Sequence, residues 1–413
     1  MTHVISHRLR TSLAHVCFLL CLACLLLSSA SAGKTKILFR PKPGQGAHFW
    51  GTLVFDSGGN LYGTTQEGGI AGCGPQDNGC GTVLRLVPQP DGTWTPEILY
   101  QFRGGSDGAL VYAGVIFDSA GNLYGTTAAE GVNNYGIAYE LSPAAGEWTE
   151  TLLHSFPAQS GDGQYPGPLV FDASGNLYGT TYVGGLGDGT VFELLPNPQG
   201  GWTEDVLHRF STDSDGFGPS AGVIFDSAGN LYSTTYDGGP NGGGTVFELS
   251  PSGGSWTETI LYGLGNPGIY PWPSLVRDQS GNLYGVNYGG IFELTPSGGG
   301  WSYAQIYSSG NGPHDIYPNS LIIDGEGNLF GTADGGAFGN CDRGFGCGAV
   351  FKLSHRQKGW QMTVLHNFPG GAAGSYPYGT LVMDQAGNLY GTTYYGGKRG
   401  CGGGCGVVFE VTH

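Results

Sequence analysis

One short motif recurs seven times along this chain of 413 residues. It is Gly-Asn-Leu-Tyr-Gly-Thr-Thr or a close variant. The asparagines of the seven copies are Asn60, Asn122, Asn176, Asn230, Asn282, Asn328 and Asn388. The intervals between copies run from 46 residues (Asn282 to Asn328) to 62 residues (Asn60 to Asn122). A period in this range, filled with short β-type runs and glycine turns, is typical of radial or stacked arrays of β-sheet units.

Each repeat predicts four short strands. In the third copy, residues 169–172 and 177–181 are two runs of β-forming residues on either side of a turn, and residues 189–194 and 202–208 are two more. Turn residues join all four runs, so one repeat predicts a four-stranded antiparallel meander. No segment of the mature chain has a sustained apolar period of 3.6 residues, and we therefore predict no helices there.

The two ends of the chain decide between an open stack and a closed ring. Residues 36–39 match the fourth strand of a repeat, whereas residues 406–411 match the third. The seventh repeat thus lacks its outer strand, and the N-terminal run supplies a spare one. A ring uses this offset to join its ends and remove an exposed sheet edge. We predict an all-β, seven-bladed β-propeller of four-stranded antiparallel blades. An N-terminal strand completes the last blade, and residues 33–413 form a single domain.

The full repeat also resembles a known family. Its sequence is Leu-Val-Phe-Asp-x-x-Gly-Asn-Leu-Tyr-Gly-Thr-Thr, followed by a Gly-Gly pair and then Gly-Thr-Val-Phe-Glu-Leu. This pattern is similar to the Gloeo-Verruco tandem repeat of exported bacterial proteins, and the similarity covers essentially the whole mature chain. The resemblance implies a secreted repeat protein and carries no established activity with it. Many members carry a C-terminal sorting tail, but His413 directly follows the last predicted strand, so we do not expect that mode of surface attachment here.

The first 32 residues predict a secretory signal peptide. Arg8 and Arg10 supply a basic start, residues 16–27 are an apolar core, and residues 30–32 (Ala-Ser-Ala) form a cleavage signal. No later apolar run has the length of a membrane span. We therefore expect an exported chain that is periplasmic, extracellular or on the cell surface.

Six cysteines remain after the signal peptide, in three local pairs: Cys73/Cys80, Cys341/Cys347 and Cys401/Cys405. In an exported protein such pairs predict disulfides. Their spacing does not suit a zinc knuckle. The aspartate that ends the first strand of every repeat predicts a cap for the following turn, not a calcium ligand. We expect no metal site and no cofactor.

The charge of the chain restricts its partners. It has 32 acidic and 16 basic residues, a net charge of −16. Such a surface repels nucleic acid and anionic lipid, so we expect no nucleic-acid partner. An extracellular glycan or protein is compatible with this charge. The sequence does not indicate an oligomeric state.

Candidate site residues are the departures from the repeat. Aromatic side chains occupy the segment before the first strand in several copies: Trp50, Tyr112, Tyr165, Trp272, Tyr317 and Tyr378. In a propeller this connection joins the outer strand of one blade to the inner strand of the next, so we expect these side chains at the mouth of the central channel. Polar candidates are His48, His314 and Asp315 in equivalent connections, and Arg277 in the shortened fifth repeat.

Positions that recur in every repeat are predicted to be scaffold. The fourth-strand position of His154 and His208 holds Tyr or Phe in other repeats, which predicts packing between blades. The third-strand glutamates, such as Glu193, predict a solvated face.

Three functions fit these patterns. The first is a non-catalytic exported binding or scaffold propeller, which recognises carbohydrate or another extracellular polymer through its aromatic loops, because aromatic rings suit stacking on sugars. The second is a lyase or hydrolase with His48, His314, Asp315 and Arg277 as a polar cluster at the mouth. The third is a purely structural surface protein whose aromatic rings are buried.

Overall fold

A computed structural model describes residues 34–73, 78–144, 146–157, 161–211, 215–265, 271, 275–310, 315–336, 341, 346–398 and 400–413. Residues 1–33, Trp272 and His314 lie outside this part of the chain. The described residues form seven four-stranded antiparallel blades arranged as a β-propeller, as predicted. The only helical segments among them are two single 3-10 turns, Gly105–Asp107 and Gly371–Ala373. No helix in this part of the chain is long and apolar enough to cross a membrane.

The blades repeat one strand order from the channel outwards. The first strands are β2 (Val54–Phe55), β6 (Ile116–Phe117), β11 (Val170–Phe171), β15 (Ile224–Phe225), β19 (Val276–Arg277), β24 (Ile322–Ile323) and β28 (Val382–Met383). The second strands are β3 (Leu61–Thr65), β7 (Leu123–Thr127), β12 (Leu177–Gly184), β16 (Leu231–Thr234), β20 (Leu283–Asn287), β25 (Leu329–Gly335) and β29 (Leu389–Thr393). The third strands are β4 (Thr82–Pro88), β8 (Ile137–Ala144), β13 (Thr190–Pro196), β17 (Gly242–Ser252), β21 (Gly290–Ser297), β26 (Ala349–Arg356) and β30 (Val407–Thr412).

The outer strands come from two sources. Six follow their own blade: β5 (Trp94–Gln101), β9 (Glu147–Ser155), β14 (Trp202–Arg209), β18 (Ser255–Gly265), β22 (Gly300–Ser308) and β27 (Gly359–Asn367). The seventh is β1 (Lys34–Phe39), which pairs antiparallel with β30 and completes the last blade. Two short additional strands, β10 (Gly163–Pro166) and β23 (Tyr317–Pro318), extend the third and sixth blades.

The turn between the first and second strands is held by its aspartate. In the first blade, Asp56 Oδ1 accepts hydrogen bonds from the backbone N–H groups of Gly58 (2.9 Å) and Asn60 (2.8 Å). Asp56 Oδ2 accepts from the Asn60 amide at 2.7 Å and from the Tyr62 hydroxyl at 3.1 Å. Equivalent bonds from the turn backbone recur in the other six blades. The capping role predicted for these aspartates is confirmed.

Adjacent blades bury their apolar side chains against each other around the whole ring. Seven apolar clusters occupy the seven interfaces. The cluster that joins the last blade to the first contains Leu38 and Phe39 of β1 together with Leu53 and Leu84. The closing strand therefore contributes to an interface as well as to a sheet.

The third-strand glutamates are not uniformly solvated, which corrects the prediction for this position. Glu193 is 9% exposed, and its Oε1 accepts a hydrogen bond of 2.6 Å from the Tyr178 hydroxyl. Glu293 and Glu410 accept equivalent bonds from Tyr284 and Tyr390. The sequence pattern missed this role because the tyrosine lies on the neighbouring strand of the same blade.

A carboxyl group is also buried at the outer end of the interface between the first two blades. Glu150 Oε1 is buried and has no hydrogen-bond partner. Burial, together with the charge of Asp107, raises the pKa of Glu150 to about 7, although Arg103 opposes the shift. Since the ordinary value is 4.5, the unfolded chain ionises Glu150 at a lower pH than the folded chain does. Stability from this group is therefore lost as the pH rises from about 4.5 to about 7 and stays lost above that.

We expect Glu150→Gln to stabilise the protein at alkaline pH and to be neutral in acid. After allowance for its partial exposure to solvent, the gain in free energy of unfolding is about 1–2 kcal/mol at pH 8 and about zero near pH 4. Urea denaturation of parent and variant across this range measures the difference. A gain that is equal at both pH values would contradict the titration of Glu150.

Candidate functional site

The connections between blades carry three of the predicted aromatic residues, Trp50, Tyr112 and Tyr378, to one rim of the ring. The backbone N–H of His48 donates to the Cys405 carbonyl at 3.2 Å, two residues before Trp50. Leu110 donates in the same way to the Cys80 carbonyl, two residues before Tyr112. These connection residues have positive φ angles, 59° for His48 and 61° for Leu110, which β-type backbone does not provide. Each connection is therefore held in one sharply bent form.

The three predicted disulfides lie directly behind these connections. Cα–Cα distances are 5.0 Å for Cys73–Cys80, 5.0 Å for Cys341–Cys347 and 5.1 Å for Cys401–Cys405. In each pair the carbonyl of the second cysteine accepts the hydrogen bond from the following connection. The three connections that receive this support carry Tyr112, Tyr378 and Trp50 respectively. The bridges thus stabilise the loops that present these rings.

Four aromatic residues from three consecutive blades meet at this rim, and we name Trp50, Tyr112, Tyr378 and Tyr394 the mouth aromatic cluster. The Trp50 ring stacks on Tyr378 with centroids 4.7 Å apart. It meets Tyr112 edge-on at 5.7 Å and Tyr394 edge-on at 5.5 Å. All four side chains are partly exposed. Because they come from the last, first and second blades, the cluster exists only in the closed ring.

A buried glutamine forms hydrogen bonds with the hydroxyl groups of Tyr112 and Tyr394. Gln66 Nε2 donates to the Tyr112 hydroxyl oxygen at 3.1 Å, and the Tyr394 hydroxyl donates to Gln66 Oε1 at 3.1 Å. Burial raises the pKa of Tyr394 to about 12, with smaller effects of Tyr395 and Glu67. Burial also raises the pKa of Tyr378, and the carboxyl of Asp334 adds to that effect. The phenol groups therefore stay neutral hydrogen-bonding groups at physiological pH.

His48 lies beneath the cluster as a packing residue. It is 5% exposed and stacks on Tyr394 with centroids 4.6 Å apart. Its Nδ1 lies 3.0 Å from Glu67 Oε2, and its Nε2 lies 3.2 Å from the Gly402 carbonyl oxygen. Both ring nitrogens face acceptors in the protein, so the imidazole presents no free nitrogen to the rim.

The other predicted site residues that the structure describes lie on the third, fifth and sixth blades. Tyr165 is 43% exposed, on the third blade, and contacts Tyr135. Tyr317 is on the sixth blade with Asp315, and its hydroxyl donates to the Gly310 carbonyl at 3.0 Å. Within the described ranges, no ring contact joins Tyr165 or Tyr317 to the mouth aromatic cluster. Trp272 and His314 lie outside the described residues.

Arg277 is not at the rim, contrary to the prediction. It pairs with Leu283 beside the turn at Asp278, whereas the rim is at the other end of β20. Its position is that of Phe225 in the preceding blade, which packs edge-on against Tyr178. The first strand has only two residues, so few residues separate the rim end of a blade from its turn end. The sequence pattern therefore did not show at which end Arg277 lies.

Comparison with known proteins identifies the family of the repeat. The family model described as Gloeobacter/Verrucomicrobia repeat matches residues 74–288, which is just over half of the chain. The protein belongs to this repeat family. No curated protein matches its sequence.

Solved structures with a similar fold have low sequence identity to this repeat protein. The extracellular domain of a protein described as a one-component system of B. thetaiotaomicron is 12% identical, with a TM-score of 0.56 over 91% of this chain and 40% of that chain. PorZ, a surface component of the type-IX secretion system of Porphyromonas gingivalis, is 16% identical, with a TM-score of 0.53 over 91% of this chain and 48% of that one. This chain therefore spans less than half the length of either protein. A protein of Bacteroides uniformis described as a 6-phosphogluconolactonase is 12% identical, with a TM-score of 0.51 over 78% of this chain and 87% of that chain. These similarities establish the fold alone.

Sequence reasoning missed part of the site in this Gloeobacter/Verrucomicrobia repeat protein. Tyr394 and Gln66 follow the Thr-Thr pair of the second strand and reach the rim beside the connections. This position is tyrosine in four of the seven repeats and a different residue in each of the other three, and that pattern is the signal that could have identified it. Its occupants are Gln66, Ala128, Tyr182, Tyr236, Tyr288, Asp334 and Tyr394.

Proposed function

We propose that this protein is an exported, non-catalytic binding or scaffold propeller whose mouth aromatic cluster recognises carbohydrate, as free glycan or as part of an extracellular polymer. The observation that carries the proposal is the convergence of four partly exposed rings from three blades around one buried amide. The three disulfides support the exported location, because such bonds persist in oxidising compartments.

The chemistry of the cluster suits a neutral, ring-shaped ligand. Sugar rings present C–H faces that pack on aromatic faces and hydroxyls that bond to polar tips. The cluster supplies both, since Trp50 and Tyr378 offer ring surface and the tyrosine hydroxyls remain protonated. The acidic surface of the chain disfavours anionic polymers. A neutral glycan is therefore the ligand class that this rim fits.

The support behind the cluster favours recognition over flexible packing. Three disulfide-closed loops and the Gln66 hydrogen bonds hold the rings before any ligand arrives. A binding surface that is already ordered loses less conformational entropy on association. This order in the absence of ligand supports a binding rim over a channel plug.

A glycan array with the mature chain tests the proposal. We expect the parent to bind a defined set of neutral glycans, and Trp50→Ala and Tyr378→Ala to weaken that binding at least about tenfold, the effect of losing about 1.4 kcal/mol. Tyr165→Ala is the matched control, because it removes an exposed aromatic ring from another blade. Thermal melting of each variant shows that the fold is retained.

Two results would contradict this function. The first is a parent protein that binds no glycan. The second is equal weakening by Trp50→Ala and Tyr165→Ala, which would indicate non-specific adhesion to aromatic surface and not recognition at the cluster.

A further inference from the structure

A histidine and two carboxylates converge at the outer end of two successive blade interfaces. In the first, His154 is on β9, Asp162 precedes β10, and Glu204 is on β14 of the next blade. The second set repeats this arrangement one blade further: His208, Asp215 and Glu258. In each set, one donor atom from each side chain lies within 4.8 Å of the other two.

The distances within these clusters are those of long hydrogen bonds and are also compatible with a shared ion. His154 Nε2 lies 3.3 Å from Asp162 Oδ2 and 3.7 Å from Glu204 Oε2, and His208 Nε2 lies 3.3 Å from Asp215 Oδ2. Charge-assisted hydrogen bonds between such groups are usually about 2.7–2.9 Å long. A tetrahedron with zinc–ligand bonds of about 2.0–2.1 Å has edges of about 3.3 Å. The distances from His154 Nε2 to the two carboxylate oxygens, 3.3 and 3.7 Å, and from His208 Nε2 to Asp215 Oδ2, 3.3 Å, are close to that edge.

Each cluster also contains a buried carboxylate oxygen without a partner. Glu204 Oε1 and Glu258 Oε1 are both buried and accept no hydrogen bond. The side chains of His154, Asp162 and Glu204 are only 21%, 16% and 11% exposed. Two carboxylates in such a setting need a cation or a shared proton between them. The same need arises at both interfaces.

The donor set selects the kind of cation. One imidazole nitrogen with two carboxylates suits zinc or a similar divalent transition ion, whereas calcium takes six to eight oxygen ligands. We propose that His154–Asp162–Glu204 and His208–Asp215–Glu258 are two zinc-binding sites that join the second blade to the third and the third to the fourth. Water completes the coordination of each ion. The inference is independent of the carbohydrate function, since these clusters lie on the outer strands.

The preceding interface provides an internal control. There Tyr100, Asp107 and Glu150 occupy the same three positions, and the Tyr100 hydroxyl donates an ordinary hydrogen bond of 2.6 Å to Asp107 Oδ1. A neutral phenol is a poor zinc ligand compared with imidazole. We therefore expect no zinc at this interface.

The test is zinc stoichiometry of the mature chain, purified without a histidine tag, stripped with a chelator and dialysed against micromolar zinc. We expect two zinc ions per chain in the parent and in Glu150→Gln. Glu204→Gln and Glu258→Gln should each bind one, and the double variant none. Glutamine keeps the size of the side chain, so the variants should fold, and circular dichroism checks this.

Melting temperature provides the second measurement. Zinc should raise it in the parent, raise it less in each single variant, and leave the double variant unchanged. A parent that binds no zinc, or a double variant that still binds two ions, overturns the proposal. So does a parent whose melting temperature is the same with zinc and with chelator, because the carboxyl pairs would then be held by a shared proton.

Discussion

A chain that lacks residues 34–39 is expected to lose about 3–6 kcal/mol of unfolding free energy. Removal of β1 exposes the edge of β30 and removes Leu38 and Phe39 from the interface between the last and first blades. Each of these side chains is less than 9% exposed, and burial of such a side chain is worth about 1.5–3 kcal/mol. Urea denaturation of the truncated and parent chains measures the loss.

Lys34→Ala is the control for this truncation. Lys34 is exposed and lies in the same strand, so its replacement should change the free energy of unfolding by less than about 0.5 kcal/mol. If the truncated chain kept the denaturation midpoint of the parent, ring closure through β1 would not contribute to stability.

Phe247→Ala is expected to cost about 3–5 kcal/mol, the usual effect of deleting a buried phenylalanine ring. Phe247 is on the third strand of the fourth blade and is 0% exposed. It packs edge-on against Phe210 at 5.3 Å, within the cluster that joins the third and fourth blades. The void that alanine leaves would weaken a sheet and an interface together.

Leu186→Ala is the matched comparison for a large-to-small change. Leu186 is 68% exposed in a loop of the third blade, so we expect a change within about 0.5 kcal/mol. Similar denaturation curves for Phe247→Ala and Leu186→Ala would show that the interface does not limit stability.

The architecture could be predicted from the sequence because every repeat carries the same pattern of strands and turns. Each copy shows the same strands and the same aspartate-capped turn, and the spare strand at residues 36–39 matches the place left open beside β30. Because this periodicity depends on local residue types, it can be recognised without knowledge of the contacts in the folded protein.

The site was only partly predictable, because it depends on contacts between residues that are far apart in the sequence. Trp50, Tyr112 and Tyr378 could be assigned to the rim from their place in the repeat, but Tyr394 and Gln66 could not be paired. These two residues are 328 positions apart and meet only because the last blade adjoins the first. The carboxylates beside His154 come from a loop and from the next blade, so the prediction of simple packing for this histidine omitted them.

The pairing of β1 with β30 has a consequence for how the protein is made. The Thr412 hydroxyl donates to the Lys34 carbonyl across 378 positions of sequence. The first strand to leave a ribosome or an export channel must therefore wait, unpaired, until the last has been delivered. Contacts of such long range form slowly and leave apolar edges open to other chains meanwhile. The yield of this final folding step should accordingly fall as the protein concentration rises, because association of open edges between chains competes with ring closure.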